Sequence, residues 1–287
     1  MLKWTAAGAV STPSTLQVRV TRRFPGRVAA GAPEPERNLS DAEVRANLEH
    51  FTVHRRGPRT TPCTRLVLSG VDLDQHSGLG AVLDVARTWG IEHVTLHLGH
   101  GHRERLVRSP LGRGVDAVAL RVAEEADLPD VAALAAGGPF VTALLLLDTE
   151  GLQRLDALAA GLARARPGRV VLTWPFPPSD PPPPAARVAA ALPAALATLD
   201  AAGLPAGVKG LPACALGEVP PERLWRSANR WYVDAAHQRD AALLFFPDVV
   251  RFARTEACRF CAWAGRCDGA PEPWLQAGLA GRLHPLD

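Results

Sequence analysis

The sequence predicts an α/β fold, a parallel sheet with helices packed outside it, open or closed into a barrel, ahead of a small cysteine-bearing C-terminal region. Two observations carry this. Strand-like and helix-like patterns alternate about six times with short connections, as βα units do. From about residue 211 strands and helices become hard to assign, tryptophans cluster (Trp225, Trp231, Trp263, Trp274), and four of the five cysteines appear. The chain has 287 residues and is 47% hydrophobic, enough to bury a large core.

The elements follow in order. "LQVRV" (16–20) is a short alternating strand, followed by a Gly/Pro/Arg loop. Ser40 reads as an N-cap, and "DAEVRANLEHF" places Val44, Leu48 and Phe51 on one helical face. "RLVLSG" (65–70) is a buried strand running into a glycine turn, and "GLGAVLDVARTWG" (78–90) is a helix that stops at Gly90. "HVTLHLGHG" (93–101) is a strand ending in a glycine-flanked loop; "VDAVALRV" (115–122) is the next strand, with a helix around 129–136. "FVTALLLL" (140–147) is a fully buried strand, "GLQRLDALAAGLARA" (151–165) a helix, and "RVVLTWPF" (169–176) a strand. "PPSDPPPPAA" (177–186) is a stiff connector before the helix "ARVAAALPAALATLDAAG". In folds of this kind the ligand site lies at the C-terminal ends of the strands.

The formal charge is +3, and the basic residues are scattered, with short clusters at Arg22–Arg23 and Arg55–Arg56 that read as solvated surface rather than a nucleic-acid interface. No apolar run approaches the ~20 residues of a membrane span. "AAGAV" near the start is too short for a signal-peptide core. The expected location is the cytoplasm, where clustered cysteines read as metal ligands before disulfides.

Those cysteines are Cys214 and then Cys258-x2-Cys261-x5-Cys267. A CxxC pair lets two thiolates of one tight turn reach the same metal, and two more complete fourfold ligation. The spacing admits a structural zinc ion, an iron–sulfur cluster, or buried cysteines with no metal. Zinc ribbons repeat CxxC twice, whereas here the second half is Cx5C and the fourth cysteine lies over forty residues upstream.

"LPACALGE" (211–218), "CRFCAWAGRCDG" and "WLQAGLAGRLHP" (274–285) together resemble the C-terminal region of radical SAM proteins. There a Cys joins a CxxCx5C-G element to bind an auxiliary 4Fe–4S cluster, in the arrangement called SPASM or, shortened, twitch. Full SPASM regions carry another Cys four residues on, where this chain has Pro271, so the likeness is to the shortened form. "RLVLSGVDLDQHSGLGAVLDVARTWGIEHVTLHLGHG" is similar to the family's second strand, glycine turn, helix and third strand, and "GVDAVALRV" to its fourth strand. The resemblance implies a partial (βα)6 TIM-like barrel over residues 1–210 and a twitch-like region over 211–287, with Cys214, Cys258, Cys261 and Cys267 holding one 4Fe–4S cluster; zinc is the alternative.

The chain departs from the family in one decisive place. Radical SAM enzymes carry CxxxCxxC after the first strand, for the cluster that chelates and cleaves SAM. Here Phe24, Val28 and Gly31 stand at that spacing, and no cysteine precedes Cys63. Their side chains cannot ligate iron, so the SAM-cleaving cluster has no ligands and SAM is a doubtful cofactor. The family's GGEP turn aligns with Gly70–Leu73, where one glycine survives. Cys63 stands alone and reads as a small core residue.

Other polar groups fall in the strand-end loops. "GVDLDQH" supplies Asp72, Asp74 and His76, and "HLGHGHRER" supplies His97, His100 and His102; the two loops form a candidate repurposed site. "GLGAVLD" is only a fragment of a dinucleotide fingerprint, and no GxSxG, P-loop or kinase signature occurs. The leading expectation is a non-catalytic radical SAM-like iron–sulfur protein, the partner of an active radical SAM enzyme, with a peptide substrate implied by the resemblance. The alternatives are an enzyme using the Asp/His loops, and a zinc-stapled binding module.

Overall fold

The structure, a computed structural model, describes residues 13–21, 37–54, 61–70, 73, 76–99, 114–174, 182–226, 228–245 and 249–286, and the backbone of 4–5 and 8–9. Strands β1 (Trp4–Thr5) and β2 (Gly8–Ala9) pair antiparallel at the N-terminus. The body is a nine-stranded sheet. Its strands are β3 (Thr15–Arg19), β4 (Arg65–Ser69), β5 (His93–Leu98), β6 (Ala117–Val122), β7 (Phe140–Leu146), β8 (Arg169–Thr173), β9 (Ala206–Lys209), β10 (Trp231–Val233) and β11 (Leu243–Leu244). The order across the sheet is β11-β10-β3-β4-β5-β6-β7-β8-β9. Every neighbouring pair is parallel except β10 with β11.

Helices fill the crossovers. Helix α1 (Asp41–Thr52) starts where expected: the Ser40 hydroxyl accepts from the Glu43 N–H, and the Glu43 carboxylate accepts from the Ser40 N–H at 2.9 Å. Helix α2 (Leu79–Thr88) ends before Gly90, which adopts φ +93. Helix α3 (Leu128–Ala136) follows β6. The helix expected over 151–165 is two pieces, α4 (Thr149–Gln153) and α5 (Leu155–Ala165), broken at Arg154. Asp148 caps α4 through the Gly151 N–H, and a Cβ at Gly151 would stand 1.8 Å from the Leu146 carbonyl, so the entry turn requires glycine. Helix α6 (Ala185–Ala201) runs through Pro193. Among the described residues no helix is long and apolar enough to cross a membrane.

Strand register sorts the side chains of the sheet onto two faces. One carries Val18, Leu68, Leu96, Val118 and Val141 side by side, then Leu98, Leu120, Ala143, Val170 and Ala206. All are buried and share one core with the apolar residues of α1, α2, α3, α5 and α6. Burying each aliphatic side chain there contributes about 1.5–3 kcal/mol.

The other face turns inward because the sheet curls. In strand order β9 and β10 stand seven places apart, which in a flat sheet is about 34 Å at ~4.8 Å per strand. Yet the Trp225 N–H bonds the Val208 carbonyl of β9, and six residues later Trp231 pairs with Leu16 of β3. Six residues reach at most about 20 Å, so the two edges are drawn together. Short strands beyond residue 210, unforeseen in the sequence, thus belong to the main sheet. Among the described residues β9 and β10 are not paired, and ring closure is not shown.

Beyond the sheet, β12 (Phe252–Ala253) and β13 (Ala270–Pro271) form a hairpin, and α7 (Glu272–Gln276) follows.

Candidate functional site

Two places gather chemistry-bearing side chains: a cysteine-lined cavity and the inner face of the sheet.

The cavity is built by two segments. Gly210, at φ +86, turns the chain off the end of β9, and a Cβ there would meet the Trp174 carbonyl at 2.7 Å. A 3-10 turn over Ala213–Ala215 then presents Cys214, anchored by buried Leu211, Ala213 and Leu216. The second segment is the loop of the β12–β13 hairpin. A 3-10 helix over Glu256–Phe260 carries Cys258 and ends on Cys261; the Cys261 N–H bonds the Cys258 carbonyl at 3.3 Å, and the Cys267 N–H the Trp263 carbonyl at 2.9 Å. Gly269, at φ +91, brings the chain back against Ala253, leaving no room for a Cβ. Arg254 donates to the Cys267 carbonyl, and Arg226 holds both Asp268 and the Gly265 carbonyl.

All four sulfurs line one small cavity, with Pro212, Ala213, Arg254, Leu283 and His284 among its other walls. Backbone N–H groups point at them. The Cys267 Sγ accepts from Ala213 and Gly269 at 3.3 Å each, and the Cys261 Sγ from Leu286 at 3.4 Å. Cys258 Sγ stands 3.6 Å from the Thr255 hydroxyl. Burial pushes the Cys214 thiol up, and the thiols of Cys267 and Cys258 push the same way, while the backbone N–H of His284 opposes them. These groups therefore feel one another, and a bound cation would relieve that repulsion. The free space is about 20 Å³, more than the ~10–15 Å³ one water needs. Among the described residues no three His, Cys, Asp or Glu side chains close on a point as a single metal ion requires. The donor set, four cysteine sulfurs with backbone N–H groups aimed at those of Cys261 and Cys267, is in kind what a thiolate-bound metal group uses.

Cys63 is elsewhere. It is 1% exposed, its N–H bonds the Phe51 carbonyl and its Sγ lies 3.8 Å from the Pro13 carbonyl. It precedes β4 while Cys214 follows β9, so the two occupy opposite ends of a parallel sheet. The tryptophans disperse too: Trp231 packs on Phe51, Trp225 covers Gly207, Trp274 enters the core, and none lines the cysteine cavity.

The inner face differs from the helix-covered one. Its rows read Tyr232, Gln17, Val67, Thr95, Ala117; then Arg19, Ser69, His97, Ala119, Thr142, Arg169; then Arg121, Leu144, Val171, Gly207; then Leu146, Thr173, Lys209. Gln17 donates to the Ser69 hydroxyl at 3.2 Å and accepts from Arg230, whose guanidinium lies 3.6 Å from the Phe245 ring centroid. Burial, with Arg230 nearby, lowers the His97 pKa to about 4, so the ring is neutral at pH 7. Burial lowers Lys209 to about 8, helped by Arg230 and Arg169 and opposed by Asp268, and lowers Arg230 to about 10. His97, Lys209 and Arg230 are partly buried rather than packed in the core. At the same end Asp234, fully buried, accepts from the N–H groups of Ala236 and His237 and lies 3.0 Å from His237 Nδ1.

Of the strand-end set, Asp72, Asp74, His100 and His102 lie outside the described residues, as do Phe24, Val28 and Gly31. His76 turns to helix α1, its Nε2 3.2 Å from Asp41, whereas His97 sits on the inner face. The inner cations Arg169, Lys209 and Arg230 were not singled out from the sequence. The alternation in "LQVRV" separates Leu16 and Val18 from Gln17 and Arg19, yet Gln17 and Arg19 are each 1% exposed, so both faces of that strand are buried.

No family model and no curated protein matches the sequence. Among solved structures the chain is similar to SuiB of Streptococcus suis, a radical SAM-type enzyme, with a TM-score of 0.50 and 9% identity over 70% of this chain and 50% of that one. The fold is radical SAM-like. The chain spans about half the length of that protein, and at this identity the likeness speaks for fold alone.

Proposed function

We propose that this chain is an iron–sulfur protein on a radical SAM-like scaffold that has lost the SAM-cleaving centre and works beside an active radical SAM enzyme, in modification of a peptide. One observation carries the reading: four cysteines from two segments over forty residues apart ring a single cavity at the C-terminal end of β9, while the sequence before Cys63 has none. Cys63, buried at the far end of the sheet, is no substitute ligand.

Cys214, Cys258, Cys261 and Cys267 would hold one 4Fe–4S cluster. Such a group supplies one-electron transfer at a potential set by hydrogen bonds to its sulfurs and by solvent access. This chain's own residues do the rest. The N–H groups of Ala213, Gly269, Leu286 and His284 stabilise the thiolates, Arg226 and Arg254 pin the Cx5C loop, and Leu283 and Pro212 limit water. Zinc is the alternative occupant; it would draw the four sulfurs to about 3.8 Å from one another, from Zn–S of ~2.3 Å.

The lost SAM chemistry is tested with the purified protein, SAM and dithionite under anaerobic conditions. No 5′-deoxyadenosine above the enzyme-free control is expected. Turnover by the chain alone would overturn the partner role.

A further inference from the structure

We propose that the inner face of the sheet is an oxyanion-binding chamber in which Lys209 and Arg230 grip a carboxylate or phosphate group, with Arg169 adding positive field from the N-terminal end of β8. This assignment is independent of what the cysteines hold.

Charges withdrawn from water ordinarily find a partner. Lys209 and Arg230 are partly buried, and among the described residues no carboxylate forms an ion pair with either of them or with the exposed Arg169. Arg230 donates to the side-chain oxygen of Gln17 and the carbonyl of Ala228, both neutral, and covers the Phe245 ring. Arg169 donates to the Thr142 hydroxyl and lies over the rings of Phe140 and Trp225. Asp268 acts on Lys209 electrostatically and is itself engaged by Arg226 at 3.2 Å. No Asp or Glu occurs at any inward position of β3 to β10.

The arrangement also works against folding. Lys209 and Arg230 come from opposite edges of the sheet, and the curl brings them within each other's field. Like charges so placed destabilise the empty protein, and a bound anion offsets that cost. Arg230 is oriented in advance: Gln17 holds one side of its fork, Ser69 holds Gln17, and Phe245 supports its plane. A fixed guanidinium fork is suited to a planar carboxylate or a phosphate edge, and the Lys209 ammonium adds a point charge. His97, neutral on the same face, adds no further charge.

The test uses the full chain at pH 7 and low ionic strength, with inorganic phosphate and succinate as probes and sodium chloride at matched ionic strength as control. Thermal unfolding and titration calorimetry are run on the wild type, Lys209→Gln, Arg230→Gln and Arg230→Lys. At least one probe should raise the wild-type midpoint above the chloride control. Lys209→Gln and Arg230→Gln should bind that probe at least about tenfold more weakly, or about 1.4 kcal/mol, and Arg230→Lys should fall between. A response to phosphate alone marks a phosphate ester as ligand, and a response to succinate alone a carboxylate; either supports the chamber. Without probe, Lys209→Gln should unfold at or above the wild-type temperature. A wild type indifferent to both probes, variants that respond as the wild type does, or a Lys209→Gln protein that melts earlier would each overturn the assignment.

Discussion

His97 makes the inner face sensitive to acid, by an amount that follows from its surroundings. Burial beside Arg230 takes its pKa from 6.5 to about 4, so the folded chain resists a proton that the unfolded chain accepts. For a group whose cationic form is disfavoured by folding, stability is intact above the unfolded pKa and falls as pH drops from 6.5 towards 4. A full shift of that size corresponds to roughly 3 kcal/mol, and the part lost between pH 7 and 5 is about 2 kcal/mol. Replacing His97 with Gln keeps a polar side chain and removes the titration. Urea unfolding at intervals from pH 5 to 7.5 should therefore give a wild-type curve that falls more steeply into acid than the His97→Gln curve. The other eight histidines titrate in both proteins and cancel in the difference. Parallel curves would refute the reasoning and place His97 in contact with water.

Two further predictions concern the cysteines. Gly269→Ala forces a Cβ to within 2.3 Å of the Ala253 carbonyl at φ +91, so it should cost about 1–3 kcal/mol in thermal unfolding and lower metal content by displacing Cys267. Cys63→Ala should leave metal content unchanged while costing about 1 kcal/mol of stability, because that thiol is packed in the core at the other end of the sheet.

The elements near the start of the fold were legible because their signals are local. Ser40 with Glu43 set the start of α1, Gly90 stopped α2, and the apolar runs of β4 and β7 marked buried strands. What depended on distant neighbours was not legible. Strand β10 is three residues long, and only its pairing with β3 makes it part of the sheet. Arg154, at φ −105 and ψ 1, breaks a helix whose apolar spacing continues through it. The cysteine spacing named the four residues that share a cavity, and Cys63, read from the sequence as a small core residue, is buried before β4 at the opposite end of the sheet. The inner cations were hidden for a similar reason. Alternation such as Gln17 and Arg19 between Leu16 and Val18 ordinarily means one wet face, and only the curl of the sheet buries the polar side as well.

The central claim is that Cys214, Cys258, Cys261 and Cys267 hold one cluster. The most direct measurement is iron, sulfide and zinc content with the visible spectrum, on protein purified without oxygen, beside the Cys258→Ala/Cys261→Ala double variant. The account predicts a brown protein with about four irons and four sulfides per chain, both lost in the variant. One zinc per chain and no visible band would contradict it and reduce the cysteine-lined cavity to a structural staple.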